Sequence, residues 1–400
     1  MSAVLPRVIL VNRVYWPSTA ATAQLLTDLA EGLAAQGWEV HIIAAGEAST
    51  RHNGVTIHRT GGGDRHGGLL SRTINYGRFR RDAQRLLTDL VVRGDVVVVM
   101  TDPPLLGAAV TELVVRRGGR VVHWIQDIYP EILTTHLGAL AALPLSPLRA
   151  LRDVAWLAAC RCVTLGEDMA RAVAARGVPA ERITLASNWA PRELHTPAEP
   201  DAIAARRAAW GVADKFVVAY SGNLGRVHEF TAVLDAAERL KARPDIVFLF
   251  IGTGARFAEL QAAARTRGLD NLRLLPPETR ADLPAALAAA DAQLVTLKPG
   301  FQRLVYPSKL AGVLAAGRPV LFVGPPDGEI ARLLAEDQCG VAFGPREGGR
   351  LADAIAAWQA DATHRTQLGR NARATYERRF TLASALIRWD AILRQVSSGP

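Results

Sequence analysis

Two of the chain's four lysines, Lys298 and Lys309, lie in the short stretch LKPGFQRLVYPSKL, although the chain carries 47 basic residues in all. Lysine is a compact point charge suited to a phosphate, whereas arginine is a planar fork. Lys309 also falls in the first turn of an expected helix that Ser308 opens, with Leu310, Val313 and Leu314 at helical spacing and Gly317 and Pro319 closing it. The helix dipole disfavours a cation there, so the placement points to an anion resting on that helix start. Two further loops repeat the order strand, small residue, helix start: Gly222 and Gly225 in AYSGNLGRVHEF, and Gly252, Thr253 and Gly254 in FIGTGARFAEL. Backbone N–H groups at such starts suit phosphate oxygens, and Arg226, His228 and Arg303 could supplement them. Neither loop supplies the third glycine of a dinucleotide fingerprint, and no Walker sequence is present. A nucleotide-sugar diphosphate therefore fits better than NAD or ATP.

Short β-branched runs alternating with longer helical ones must position these loops, the pattern of a parallel sheet with helices on both faces. In the first half the expected strands are 7–12, 39–45, 55–59, 95–100, 120–125, 162–165 and 183–186, with helices over 20–36 and 70–92. The second half begins again with 216–222, 246–252, 272–275, 292–297, 319–324 and 340–343. The fold class is α/β, two doubly wound Rossmann-like domains in series. Pro191, Pro197 and Pro200 place the joint within 187–202, and a final helix carries Leu382, Leu386, Trp389 and Leu393 near helical spacing. Open α/β sheets bind ligands at the carboxyl ends of their strands, so the expected active site is a cleft between the domains.

Composition narrows the classes. The longest apolar stretches are broken by charges well short of a membrane span, and the N-terminus lacks the charged start and cleavage site of a secretory signal, so a cytosolic location is expected. Cys160, Cys162 and Cys339 fit neither a disulfide framework nor a zinc site and read as core thiols. The net charge is +9, and residues 51–93 hold nine arginines (Arg51, Arg59, Arg65, Arg72, Arg78, Arg80, Arg81, Arg85 and Arg93) against Asp64, Asp82 and Asp89. That stretch reads either as a solvated helix face or as a surface approaching anionic lipid headgroups. It lacks the interleaved aromatics that nucleic acid would ask for.

Taken together, YWPSTAATAQLLTDLAEGLAAQGWEVHIIA, VHWIQDIYPE, YSGNLGRVHEF and YPSKLAGVLAAGRPV give the chain a resemblance, over nearly its whole length, to GT-B glycosyltransferases of family 4. Within that family it resembles the colanic-acid, O-antigen and capsule enzymes that act on polyprenyl-diphosphate-linked sugars. The resemblance implies an acceptor domain over 1–192, a donor domain over 193–376 and a helix over 377–400 returning to the first domain. Carried over position by position, it implies a donor site at Gly222, Asn223, Arg226, His228, Gly252, Thr253, Lys298, Ser308, Lys309 and Leu310, with the base near 276–280. It implies an acceptor side at Pro17, Ser18, Thr19 and Gln126. Departures are visible: many members carry Arg at the position of Asn223 and Lys at that of His228, and the family's paired glutamates fall on Leu304 and Gly312. Where members often carry His before an Asp, Gln126 precedes Asp127. Asp127, with Glu131 second, is the expected catalytic carboxylate, serving as general base to an acceptor hydroxyl or orienting the sugar.

The expected function is transfer of a sugar, an N-acetylated deoxyhexosamine by likeness to O-antigen enzymes, from a UDP-sugar to a lipid-linked saccharide. The partners are then a nucleotide-diphosphate sugar, a polyprenyl-diphosphate-linked acceptor and the anionic inner face of the cytoplasmic membrane, with no nucleic acid. No metal and no cofactor are expected, because no carboxylate pair has metal-ligand spacing. Two rivals remain open: a nucleotide-sugar 2-epimerase on the same scaffold, and a non-catalytic partner subunit that kept the fold.

Overall fold

The runs VILV and VVVV are buried at every position. Strands with no polar face need cover on both sides, which the crossover helices of a parallel sheet supply. The computed structural model describes residues 7–61, 68–137 and 143–399. Contacts divide the chain into two units, Met1–Asn188 with Arg303–Tyr306 and Leu382–Pro400, and Trp189–Gln302 with Pro307–Thr381.

The first unit holds β1 (Val8–Val11), β2 (Val40–Ala45), β3 (Thr50–His52), β4 (Val55–Thr60), β5 (Val96–Val99), β6 (Arg120–Ile125), β7 (Arg161–Thr164) and β8 (Ile183–Leu185). Their order is β3-β4-β2-β1-β5-β6-β7-β8, parallel except where β3 pairs antiparallel with β4. The order reverses beside β1, which lies between β2 and β5, so the crevice for a ligand opens at the carboxyl ends of β1 and β5. The helix Leu382–Ser398 packs in this unit: Trp389 meets Trp124 edge-on at 4.8 Å, and Trp38 donates to Asp390 at 2.9 Å. Trp124 is thereby a fully buried core residue.

The second unit holds β9 (Phe216–Ser221), β10 (Ile246–Ile251), β11 (Leu272–Leu275), β12 (Ala292–Thr296), β13 (Val320–Val323) and β14 (Gly340–Phe343). All are parallel, in the order β11-β10-β9-β12-β13-β14, with the reversal beside β9. Tyr220, Phe230, Phe248 and Phe250 fill the core against the helices Thr231–Arg239 and Gly348–Ala360.

Every expected strand forms, with ends shifted by a residue or two. The hairpin strand β3 escaped the sequence because its three residues, TRH, are mostly exposed and carry no apolar alternation. Cys162 and Cys339 are buried as expected, but Cys160 is exposed, since it leaves the helix Ser146–Ala158 before β7 begins. The basic stretch 51–93 is not one face. Arg59 and Arg80 donate to the carbonyls of Ala45 and Pro104, Arg81 and Arg85 share Asp82, and Arg65 with Asp64 lies outside the described residues.

Candidate functional site

At the reversal point of the second unit, three loops meet at the strand ends. Gly222, at φ +125, leaves β9, and a Cβ there would fall 2.7 Å from Cε of Lys309. Gly252, at φ +144, leaves β10, and its Cβ would fall 2.2 Å from the Gly222 carbonyl oxygen. A Cβ on Gly254 would fall 2.6 Å from Asn223 Oδ1, and Leu224 N–H donates to the Thr253 carbonyl at 2.8 Å. Gly252 and Gly254 therefore serve the stacking of one loop on another. Lys298 N–H, just past β12, donates to the Val227 carbonyl at 2.8 Å and ties down the same loop.

Lys309 is half-buried over this junction. Its Nζ donates to the Asn223 carbonyl at 3.1 Å, lies 3.3 Å from His228 Nε2 and sits 4.8 Å from the centre of the Tyr220 ring. The buried His228 places Nδ1 at 2.8 Å from the Thr296 carbonyl, which can only accept, so Nδ1 carries the proton and Nε2 faces the ammonium as an acceptor. Burial first, and then the Lys309 charge, push the His228 imidazole down to about 3, which keeps it neutral. Burial likewise lowers the Lys309 ammonium to about 8. The lysine that the sequence singled out is thus held by a carbonyl, an imidazole and an aromatic face, none of them anionic.

Arg226 is exposed, Lys298 is half-buried, and neither has an ion-pair partner among the described residues. Elsewhere in the unit arginines find carboxylates, as Arg206 with Glu278, Arg207 with Asp291 and Arg267 with Asp235. Arg256, just before the helix Phe257–Thr266, pairs with Glu259 and donates to the His228 carbonyl at 2.5 Å. Ser308 and Thr253 are exposed, and the Ser308 hydroxyl makes no cap to the helix Lys309–Ala315.

One expectation needs correction here. Leu310 is fully buried, so its side chain packs the core and cannot line a donor site. Gly312 faces Leu194 and Leu287, with a Cβ there 3.3 Å and 3.7 Å from their methyl groups. An acid at this position would start out between two leucine side chains. Leu304, the other glutamate position, is buried as well and belongs to the first unit, where its carbonyl accepts from Ile128 N–H at 2.9 Å. Glu278, in the 276–280 loop, is occupied by Arg206 and by Trp210 Nε1.

The first unit assembles an acidic counterpart at its own reversal point. Arg13, just past β1, grips Asp102, just past β5, with Nε and Nη2 at 3.0 Å and 3.1 Å from the two carboxylate oxygens. Asp127 follows β6, half-buried, with no ion-pair or side-chain hydrogen-bond partner among the described residues. Burial, and then the nearby Asp102 charge, push its carboxyl up to about 6. An antiparallel bridge to Val305 fixes its backbone. A cavity of about 30 Å³, walled in part by Asp127, His123, Tyr129 and Arg152, lies beside it. That is room for a water or two and not for a sugar. The Tyr129 hydroxyl is pushed up to about 12 by burial and by Asp127, so it remains a donor.

Glu131 is differently placed. Arg152 binds it bidentately at 2.7 Å and 2.8 Å, with Arg176 at 3.1 Å and Arg149 at 3.3 Å. Burial alone would raise its carboxyl, but the Arg152 hydrogen bonds and charge outweigh that and hold it below the usual range. It is a structural anion, unsuited to accept a proton near neutrality. Gln126 is buried in a reciprocal amide pair with Asn188, at 2.7 Å and 3.3 Å, so its side chain is not presented to an acceptor. Pro17 and Thr19 are exposed and Ser18 half-buried before the helix Ala21–Ala35, with the Ser18 hydroxyl accepting from Ala20 N–H at 3.3 Å. Arg13 and Asp102 were missed, although the rule of strand carboxyl ends applied equally to them.

Comparison with known proteins gives this geometry its setting. Residues 22–194 match the family described as Glycosyltransferase Family 4, and residues 203–375 match Glycosyl transferases group 1. The chain is 30% identical over 272 residues to the glycosyltransferase WbjE of Pseudomonas aeruginosa, 67% of either chain. It is 35% identical over 156 residues to the colanic acid biosynthesis glycosyl transferase WcaI of Escherichia coli (strain K12), a match that spans only 38% of either chain. The fold matches that of Anabaena Alr3699/HepE, solved with UDP, at a TM-score of 0.73 and 16% identity, covering 97% of this chain and 100% of that one. It also matches sucrose-phosphate synthase of Thermosynechococcus elongatus at a TM-score of 0.79 and 17% identity, over 99% and 100% of the two chains. The chain belongs to the family 4 glycosyltransferases and has the GT-B fold.

Proposed function

We propose that the protein transfers a sugar from a UDP-sugar, held by the second unit, to a lipid-linked saccharide, with Asp127 of the first unit as general base. The observation that carries this reading is the set of cations at the second unit's reversal point. Lys309, Lys298 and Arg226 lie on loops at one group of strand ends, and no carboxylate pairs with them among the described residues. A pyrophosphate supplies the missing charge, and as bond cleavage proceeds the negative charge growing on the leaving diphosphate is stabilised by groups already in place. The UDP in the Alr3699/HepE structure supports uridine as the nucleoside of the donor.

On the acceptor side, Asp127 has what a base needs: a carboxylate free of cations, raised towards neutrality, on a pinned backbone. It takes the proton of the attacking hydroxyl as the new glycosidic bond forms and the bond to phosphate breaks. The sugar, by likeness to O-antigen enzymes, is an N-acetylated deoxyhexosamine. The lipid-linked acceptor, and with it a peripheral place on the inner face of the cytoplasmic membrane, rests on the resemblance of the sequence motifs to enzymes that act on polyprenyl-diphosphate-linked sugars. Among the described residues no helix is long and apolar enough to cross a membrane.

A thermal-shift panel of UDP and UDP-sugars on the wild type and on Lys309→Ala tests the donor assignment. A rise in Tm for the wild type that is lost in the variant is the expected result. If no uridine nucleotide stabilises the wild type, or if Lys309→Ala responds equally, the site is misplaced.

A further inference from the structure

We infer that the helix Ser146–Ala158, with an arginine pocket at its C-terminal end, is the surface by which the protein lies on an anionic lipid bilayer. The helix buries Ala155 and Trp156 but also shows an apolar side to solvent. Its inner side carries Arg152, bound to Glu131, while Leu148, Leu151, Val154 and Leu157 are exposed at 37%, 58%, 64% and 43%. At 3.6 residues per turn, Pro147, Ala150, Leu151, Val154, Leu157 and Ala158 cover about a third of its circumference without a charge. Leu143, 79% exposed, precedes it. No described residue covers this face.

An apolar face alone does not name its occupant; the charge beside it does. An open pocket of about 420 Å³ begins at Ala158 and Ala159 and is lined by Arg120, Arg161 and Arg182, with no acidic side chain. These guanidinium groups donate only to neutral acceptors. Arg120 bonds the Ser397 carbonyl, Arg161 bonds the Glu181 carbonyl and Gln395, and Arg182 bonds the Leu157 carbonyl at 3.3 Å. Nε of Arg161 is buried without a partner. Three uncompensated cations beside a charge-free apolar strip match phosphate headgroups beside acyl chains. A second copy of the same surface would set arginines against arginines. The inference deepens the reading of a lipid-linked acceptor and rests on it for its biological sense.

The test is flotation with vesicles, without donor or acceptor, so it does not depend on that reading. The wild type should float with phosphatidylcholine vesicles containing phosphatidylglycerol, and about tenfold less with phosphatidylcholine alone. Leu151→Asp/Val154→Asp should weaken flotation by at least about tenfold, and Arg182→Glu by about fivefold. Arg78→Glu, on the helix Leu69–Leu90, should float as the wild type. A fluorophore on Cys160, the exposed cysteine at the pocket, should shift to the blue on vesicles. The inference is overturned if the Asp variant floats undiminished, if Arg78→Glu is the variant that fails, or if light scattering finds a wild-type dimer that the Asp variant abolishes. Transfer to a short-chain, water-soluble acceptor in detergent reports separately on the proposed activity.

Discussion

The two reversal points are built alike and charged oppositely. In the first unit, adjacent strand ends bring two carboxylates together with one arginine. Arg13 goes to Asp102, which leaves Asp127 without a cation and raises its carboxyl to about 6. In the second unit, Lys309, Lys298 and Arg226 have no ion-pair carboxylate among the described residues, and the groups that hold Lys309 are neutral. The lesson is that the same crevice of a parallel sheet is made basic in the proton-transfer sense or cationic by which partners the loops withhold. A group left unpaired at a strand end says more than a group that is present.

The largest effect should follow loss of the lone carboxylate. Asp127→Asn is expected to lower kcat by about 10²- to 10⁴-fold, as removal of a general base does. Steady-state assays over pH should show wild-type activity falling as pH drops through about 6, where the base becomes protonated. The same variant should be the more stable protein. Because the folded carboxyl is raised, its ionisation opposes folding: the burden is absent below the ordinary carboxyl pKa near 4 and complete above about 6. Calorimetry should find Tm raised by Asp127→Asn at neutral pH and the gain gone in acid.

On the cationic side, Lys309→Ala is expected to weaken UDP binding by about 10- to 100-fold, the loss of one charge-assisted contact. UDP affinity of the wild type should also decline as pH rises through about 8, where free Lys309 loses its proton. His228 is neutral throughout that range and should add no step. Glu131→Gln sharpens the contrast between the two carboxylates. By leaving Arg152 buried beside a neutral group it should cost about 3 kcal/mol of stability in denaturant unfolding. The acid limb of the activity profile near pH 6 should remain. The smallest change is expected from Arg226→Ala, an exposed cation, at a few-fold in UDP affinity.

The sheets were legible because VILV, VVVV and IVFLFI are patterns that only a doubly covered strand explains. The exposed TRH of β3 carries no such mark. Lys309 could be found from rarity and position, but its holders could not. Tyr220 and His228 come from the far side of the sheet reversal, and Thr296 acts through its carbonyl, which every residue has. Glu131 and Asp127 look equivalent in IQDIYPE. What separates them is Arg152, Arg149 and Arg176, brought to one and not the other by the helix Ser146–Ala158 and the turn before β8. Glycines in FIGTGAR suggested a phosphate, whereas Gly252 and Gly254 answer to the neighbouring loop pressed against them. Motif and composition locate strand ends well; which charges survive there unpaired is settled by residues distant in sequence.

Titration calorimetry of UDP into the wild type, Lys309→Ala and Asp127→Asn at pH 7 tests the opposed roles most directly. Affinity at least tenfold weaker in Lys309→Ala, with Asp127→Asn equal to the wild type, is the result expected of a cationic donor site and a separate base. Unchanged binding in Lys309→Ala, or a loss in Asp127→Asn as large as that in the lysine variant, would contradict the account.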